Sequence, residues 1–383
     1  MRVGITIFCQ NTGDWDRYEA EERGEEAATR PSKADAEIFR EEVGLALMAD
    51  ELGFDSAWTV EHHFTPYTMV TNPLQLLTYL AGVTKHVDLG SMVVVLPWHN
   101  PVRVAEDVAM LDLLLGPDRQ ILCGVGRGLG RREYEGMNVD QAEARGRFDE
   151  GIEILCELLA TGKSSFKGEF WQLDDLHLRP QPERDLSSQL FCAGGTSETT
   201  EVIAKHNISP LAVPTSSVEL ALKGARNYAN LRRDAGFAPV HNKLALWTYC
   251  SDDPAEVDEA HGWVVDYSDT ALRHYELAGT HLDNVKGYET YARNAANVRA
   301  DPQAFRENFV RDHPLGNPDQ VIAQTRHLAE TFGASEIMFA FKYGNMPIER
   351  AERSLQMFAR EVLPALQEID AAPLQPEAAQ SAG

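Results

Sequence analysis

Phe54-Asp55-Ser56-Ala57-Trp58-Thr59-Val60-Glu61-His62-His63-Phe64 decides the fold. The run Phe54 to Val60 is short, apolar, β-branched and aromatic, which is the signature of a buried strand. An acid and two histidines stand where that strand should end. In α/β proteins chemistry collects at the carboxyl ends of strands. The segment therefore predicts a strand that delivers an imidazole to an active site.

Working outward, strand-like and helix-like segments alternate. Strands are expected at Val3 to Phe8, Phe54 to Val60, Val87 to Leu96, Gln120 to Val125, Gln189 to Ala193, Ile208 to Val213, Lys243 to Cys250 and Glu336 to Phe341. Val87 to Leu96 is almost continuously apolar, as expected when both faces of a strand are covered. Asn72-Pro73 and Asn100-Pro101 open helices, with proline at a favoured first-turn position. Eight alternations without a linker predict an α/β chain forming a TIM-like (β/α)8 barrel. The barrel should occupy residues 1–366 as a single domain. Insertions are expected after strands one, four and seven, at about 10–33 (a long polar loop), 164–178 (a hairpin) and 280–315 (weak helical pieces). The Ala, Pro and Gln-rich tail, 367–383, is expected to be disordered.

Composition narrows the function. There are 59 acidic and 35 basic residues, a net charge of −24, which argues against binding nucleic acid or an anionic membrane. No run approaches ~18 uninterrupted apolar residues, so no membrane span is expected. The five cysteines are scattered and lack a CxxC spacing, which fits a reducing cytosol rather than disulfides or structural zinc.

Three motifs carry candidate chemistry. In Glu61-His62-His63, neighbouring residues of an extended strand point to opposite faces, so His62 and His63 do not readily share one metal ion. No metal is expected. His62 is the candidate for catalysis or hydrogen bonding, since a neutral imidazole both donates and accepts near neutral pH. His63 is expected to be packed behind the strand. Gly124-Val125-Gly126-Arg127-Gly128-Leu129-Gly130 is not a dinucleotide fingerprint, because Leu129 stands where the third glycine belongs. Arg127 at a strand end suits a terminal phosphate instead. Gly194-Gly195-Thr196-Ser197-Glu198-Thr199 places two small residues and three hydroxyls at a helix N-terminus, which reads as an N-cap or an anion site. With Arg127 and Arg145 it forms a candidate phosphate cradle.

Together these segments resemble the bacterial luciferase-like, flavin-dependent monooxygenase family. The resemblance is densest from Leu52 to Thr65 and continues through Val95-Leu96-Pro97, Asn100-Pro101-Val102-Arg103, Gly126-Arg127-Gly128-Leu129 and Thr199-Thr200-Glu201. It implies FMN at the strand C-termini, with His62 as the catalytic histidine beside the flavin ring. Arg127, the Leu129 backbone, Arg145, Thr196 and Thr199 match phosphate-binding positions. Met92-Val93 matches a non-proline cis peptide beneath the isoalloxazine, and 280–315 matches a lid. Gly195 stands where light-emitting members carry an acid, and Gly126 where they carry a reactive thiol. A related oxygenation is therefore expected rather than light emission.

The implied activity is a two-component monooxygenase. A separate NAD(P)H flavin reductase supplies reduced FMN, and O2 adds at the flavin C4a carbon to oxygenate a small apolar organic substrate. The resemblance also implies a homodimer. Three alternatives stay open: an F420-dependent oxidoreductase of the same fold, a flavin-binding protein without turnover, and a metal-dependent hydrolase. Trp98, Phe64, Tyr67, Met69 and Trp247 are candidate pocket residues.

Overall fold

The structure is a computed structural model that describes residues 1–26, 33–194, 196–212 and 218–376. The strands are, in chain order, β1 (Arg2–Ile7), β2 (Ser56–Thr59), β3 (Asp88–Val95), β4 (Ile121–Gly126), β5 (Lys163–Lys167), β6 (Gln172–His177), β7 (Leu190–Cys192), β8 (Ser209–Ala212), β9 (Asn242–Trp247), β10 (Tyr249–Cys250), β11 (Leu315–Gly316) and β12 (Ala334–Ala340). Eight of them close a parallel barrel in the order β1-β12-β9-β8-β7-β4-β3-β2. The expected TIM barrel is thus the fold, because strands covered on both faces must be flanked by helices. β3 is buried at seven of its eight positions.

The helix starts follow local chemistry. Asn72 accepts a hydrogen bond from the Gln75 amide (3.0 Å) and Asn100 one from the Val102 amide (2.9 Å), each with proline next in sequence. At the N-terminal end of the barrel, a buried ion pair between Lys243 and Glu336 replaces apolar filling. Ser56 also donates to Glu336, and the Trp58 indole donates to Ser56 Oγ at 2.8 Å.

The insertions after strands one, four and seven of the barrel are present, with differences. The expected loop at 10–33 contains a helix, Trp15–Glu22, because Trp15 is buried against the body of the protein. Residues 27–32 lie outside the described residues. The hairpin forms as β5 and β6, antiparallel. Residues 280–315 hold a 3-10 turn, His281–Asn284, and two helices, Glu289–Ala300 and Pro302–Arg311, the second capped by Asp301. The strand expected at Lys243 to Cys250 breaks at Thr248. β9 stays in the barrel, and β10 leaves it to pair with β11.

The tail corrects the expectation of disorder as far as 376. Ile369 and Ala371 are buried, and the Met1 amino group donates to the carbonyls of Gln367 and Ile369. Two apolar side chains and a charged terminus thereby hold it to the barrel. Residues 377–383 lie outside the described residues. Among the described residues, no helix is long and apolar enough to cross a membrane.

Candidate active site

β2 ends at Thr59, and the chain beyond it turns back so that the His62 amide donates to the Val70 carbonyl (3.0 Å). The alternation expected from an extended strand separates the two imidazoles. His63 is buried, with Nε2 3.2 Å from Glu61 Oε1. His99 Nε2 approaches the same oxygen at 2.6 Å, and the Val95 amide donates to Glu61 Oε2 at 2.6 Å. Glu61 therefore ties the end of β2 to the end of β3. Burial pushes the Glu61 carboxyl up, but hydrogen bonds from His63, His99 and Val95 outweigh it, and the net direction is down.

His62 faces the other way. Its Nδ1 lies 3.0 Å from Glu133 Oε1, and its Nε2 lies 3.4 Å from the Tyr275 hydroxyl. The Glu133 oxygen also accepts from the His63 amide (2.9 Å) and sits 3.4 Å from His274 Nε2. His274 Nδ1 is 2.8 Å from Thr65 Oγ1. The rings of Tyr67 and His274 pack on His62 with centroids at 5.0 and 4.9 Å. Burial pushes the Glu133 carboxyl up, but interactions with His62 and His274 more than reverse this and hold it well below the usual carboxylate range. Burial pushes the His274 imidazole down. The consistent state is an anionic Glu133 beside a neutral His274.

His62, Glu133 and His274 are also, among the described residues, a group whose ligand-type atoms lie within 4.8 Å of one another. The His62–Glu133 hydrogen bond and the 3.4 Å approach of His274 Nε2 to Glu133 Oε1 account for that closeness.

The second half of the site is built on β4 and the helix after β7. Arg127, one residue past β4, is buried, and its Nη1 and Nη2 have no hydrogen-bond partner among the described residues. Arg145 Nη2 donates to Thr199 Oγ1 (3.3 Å), and Thr196 Oγ1 lies 3.0 Å from the same hydroxyl. Thr196 caps the helix Ser197–Lys205 by accepting from the Thr199 amide. A Cβ on Gly194 would sit 2.4 Å from Thr199, so only glycine lets the backbone approach here. Gly287 brings the 280–315 insertion to the cradle: a Cβ there would lie 3.2 Å from Arg127 Nη1 and 4.0 Å from Arg145 Cβ. The Leu129 carbonyl accepts from Gln141 (3.0 Å). A buried guanidinium with free donors, beside a second arginine and two hydroxyls, fits a dianionic phosphate. Gly195 and the Ser197 side chain lie outside the described residues.

Met92-Val93 is a non-proline cis peptide in β3, as the resemblance implies. Gly126 lies alongside, and a Cβ there would meet Val93 Cγ2 at 2.6 Å. The glycine thus keeps Val93 close to β4.

The structure brings together Arg127, Arg145, Thr196 and Thr199 as one cluster. His62 and the Met92-Val93 peptide lie at the same end of the barrel, where Glu61, next to His62, accepts from the amide of Val95, two residues past Val93. Of the candidate pocket residues, Tyr67, Trp98 and Trp247 are enclosed by other aromatic rings. Phe64 is half-exposed. Sequence reasoning missed Glu133, His274 and Tyr275. Glu133 sits on a short helix, Arg131–Gly136, where alternating charge reads as a solvated face.

Comparison with known proteins adds independent support. The family model for luciferase-like monooxygenases matches residues 1–335. The chain belongs to the luciferase-like monooxygenase family. A relative in Acinetobacter baylyi, the oxygenase component of a flavin-dependent trigonelline monooxygenase, is 27% identical over 345 residues, covering 87% of this chain and 91% of the relative. A monooxygenase from Streptomyces bottropensis superposes with a TM-score of 0.75 at 24% identity, covering 96% of this chain and 100% of that one. The oxygenating constituent of 3,6-diketocamphane monooxygenase from Pseudomonas putida, in complex with FMN, gives 0.67 at 18% identity, covering 95% and 98%. An F420-dependent secondary alcohol dehydrogenase gives 0.68 at 15% identity, covering 96% and 99%. These likenesses among solved structures extend the shared fold across the luciferase-like barrel.

Proposed function

We propose that this protein is the oxygenase component of a two-component monooxygenase. It takes reduced FMN from a separate NAD(P)H flavin reductase and uses O2 to oxygenate a small apolar organic substrate. The observation that carries this reading is the buried Arg127 guanidinium, whose Nη1 and Nη2 have no hydrogen-bond partner among the described residues, at the same end of the barrel as His62 and the Met92-Val93 peptide. Arg127, the Leu129 backbone, Arg145, Gly194, Gly195, Thr196, Ser197 and Thr199 would hold the phosphate. Met92 and Val93 would support the ring. Reduced FMN, when bound, supplies the electrons that activate dioxygen.

The chain's own residues supply the rest. His62 holds or moves a proton at Nε2, the nitrogen turned away from Glu133. Tyr67, His274 and Tyr275 enclose that imidazole, and Tyr288 of the 280–315 insertion covers Arg127, which limits access of water. The family name of the trigonelline relative supports the two-component arrangement. Five free cysteines, none of them exposed, support a reducing cytosol. Exposed Tyr79, Val83, Met110, Leu113 and Leu114, on adjacent helices, support a homodimer.

A second reading, hydride transfer with F420, is favoured by the likeness to the F420-dependent dehydrogenase. Turnover with reduced FMN and a substrate panel, in air and under nitrogen, separates the two. Oxygen-dependent mass gain in the product supports the monooxygenase, and oxygen-independent oxidation with F420 supports the dehydrogenase. Replacing His62 by Ala should cut coupled product formation while leaving FMN bound. Undiminished coupled turnover would overturn the role of His62.

A further inference from the structure

We infer that Glu133 is a positioning residue for His62: its carboxylate fixes the imidazole as the Nδ1-protonated tautomer and leaves Nε2 free to accept a proton at the pocket. This rests on the reading of His62 as a proton-handling group.

A carboxylate only accepts hydrogen bonds, so each ring nitrogen facing it carries a hydrogen. His62 Nδ1, at 3.0 Å, is therefore the N–H, and Nε2 carries the lone pair. The Tyr275 hydroxyl, 3.4 Å from Nε2, is a donor on that side. Burial raises the Tyr275 phenol well above its usual range, so it keeps its proton. On the other flank His274 Nε2 lies 3.4 Å from Glu133 Oε1 without hydrogen-bond geometry, and its Nδ1 lies 2.8 Å from the Thr65 hydroxyl. The His63 amide completes the set by donating to the same carboxylate oxygen. Glu133 Oε1 is thus held by two N–H groups, from the His62 ring and the His63 amide, and is set against the Nδ1 edge of His62.

The surroundings argue that Glu133 is there for the imidazoles rather than for its neighbouring cations. Arg131 pairs with Glu135 and Glu276, and Arg132 with Glu22 and Glu276, all away from Glu133. Glu133 itself is 1% exposed. Burying an anion is costly unless it is paired, so a carboxylate serving only helix solubility would stay outside. Gly130 makes room for it: a Cβ at 130 would lie 2.4 Å from Glu133 Oε2. A base oriented by a third group is the general logic of activated catalytic pairs.

The test uses the full chain labelled with 15N-histidine and free of flavin. Ring-nitrogen chemical shifts are recorded at about pH 8, where an unperturbed imidazole is neutral. His62 is assigned as the signal lost in His62→Ala. The expected wild-type spectrum shows His62 protonated at Nδ1, and Glu133→Gln shifts the population toward the Nε2 tautomer. With reduced FMN, a reductase and substrate, Glu133→Gln should lower kcat for coupled product about 10- to 100-fold, the scale known for losing a partner that orients a metal-bound histidine. KM should stay within about twofold. Glu133→Asp should recover part of kcat, and His62→Ala combined with Glu133→Gln should be no worse than His62→Ala alone.

A wild-type His62 protonated at Nε2 would overturn the positioning role without need of any variant. So would a double variant as slow as the product of the two single effects. Full coupled turnover by His62→Ala would instead overturn the proton-handling reading, which is a separate failure.

Discussion

The guanidinium carbon of Arg127 lies 4.2 Å from the centroid of the Tyr288 ring. The tyrosine comes from the 280–315 insertion, and its hydroxyl donates to the Gly128 carbonyl at 3.0 Å. One face of the guanidinium is therefore covered by an aromatic ring, while its terminal nitrogens find no hydrogen-bond partner among the described residues. Dehydrating an arginine and leaving its donors free is costly, and an anionic ligand is the simplest compensation.

Replacing Arg127 by Met tests this. Hydrogen bonds to charged groups contribute about 1.5–3 kcal/mol, so the Kd for FMN should rise about 10- to 100-fold. Tyr288→Ala loses only the ring contact, about 0.5–2 kcal/mol, and should weaken FMN less than Arg127→Met. Flavin fluorescence titration reads both. An unchanged Kd in Arg127→Met would remove the phosphate assignment.

A pH-dependent contribution to stability is expected at His99. Burial pushes its imidazolium down, but the hydrogen bond and charge of Glu61 push it up further, so the net direction is above the ordinary 6.5. A raised folded-state value means stabilisation that is fully present below about 6.5 and lost as pH climbs through the folded value. Glu61 has the opposite sign: its carboxyl is lowered from 4.5, so its share appears above that value and fails as pH falls through the folded one. The Tm difference between wild type and His99→Gln should therefore be largest between about pH 4.5 and 6.5 and should shrink above that window. A difference that grows from pH 6 to 9 would contradict the ion pair.

Much of the barrel was legible because its strands are enclosed. Val87 to Leu96 is almost continuously apolar because helices cover its outer face and the packed barrel interior covers its inner one. His62 and Arg127 were legible because polar groups at the ends of such strands have few structural uses. Glu133 was not, since Arg131-Arg132-Glu133-Tyr134-Glu135 has the composition of an exposed turn of helix. Its burial comes from His62, 71 positions away in sequence. The helix Trp15–Glu22 escaped for the same reason: Trp15 is its one buried residue, Tyr18 packs beside it, and the rest are charged or alanine. Local pattern records what a segment buries in bulk, and these segments bury single side chains.

Gly126 makes a further point about the ring support. A methyl at this position would meet Val93 Cγ2 at 2.6 Å, so Gly126→Ala must displace a residue of the proposed flavin platform. Overpacking of this kind costs about 1–3 kcal/mol. Gly126→Ala should lower Tm by several degrees and weaken FMN binding together. Loss of Tm with full FMN affinity would show that Val93 packs the barrel without bearing on the ring.

The apolar face on the helices Pro73–Val83 and Pro101–Leu115 gives the last prediction. Leu114 is 59% exposed and Tyr79 56%, with Met110, Leu113 and Val83 beside them. Met110, Leu113 and Leu114 share a helix face by their spacing, as do Tyr79 and Val83. The two helices pack side by side, so these side chains form one patch rather than scattered points. A second copy of the chain would bury the patch against itself about a two-fold axis. The wild-type protein should sediment at twice its 42.6 kDa mass, and Leu114→Glu should sediment as a monomer because a buried unpaired carboxylate opposes association. The FMN Kd of the variant should be unchanged, as Leu114 lies outside the phosphate and histidine clusters. A wild type that sediments as a monomer at micromolar concentration would refute the dimer outright.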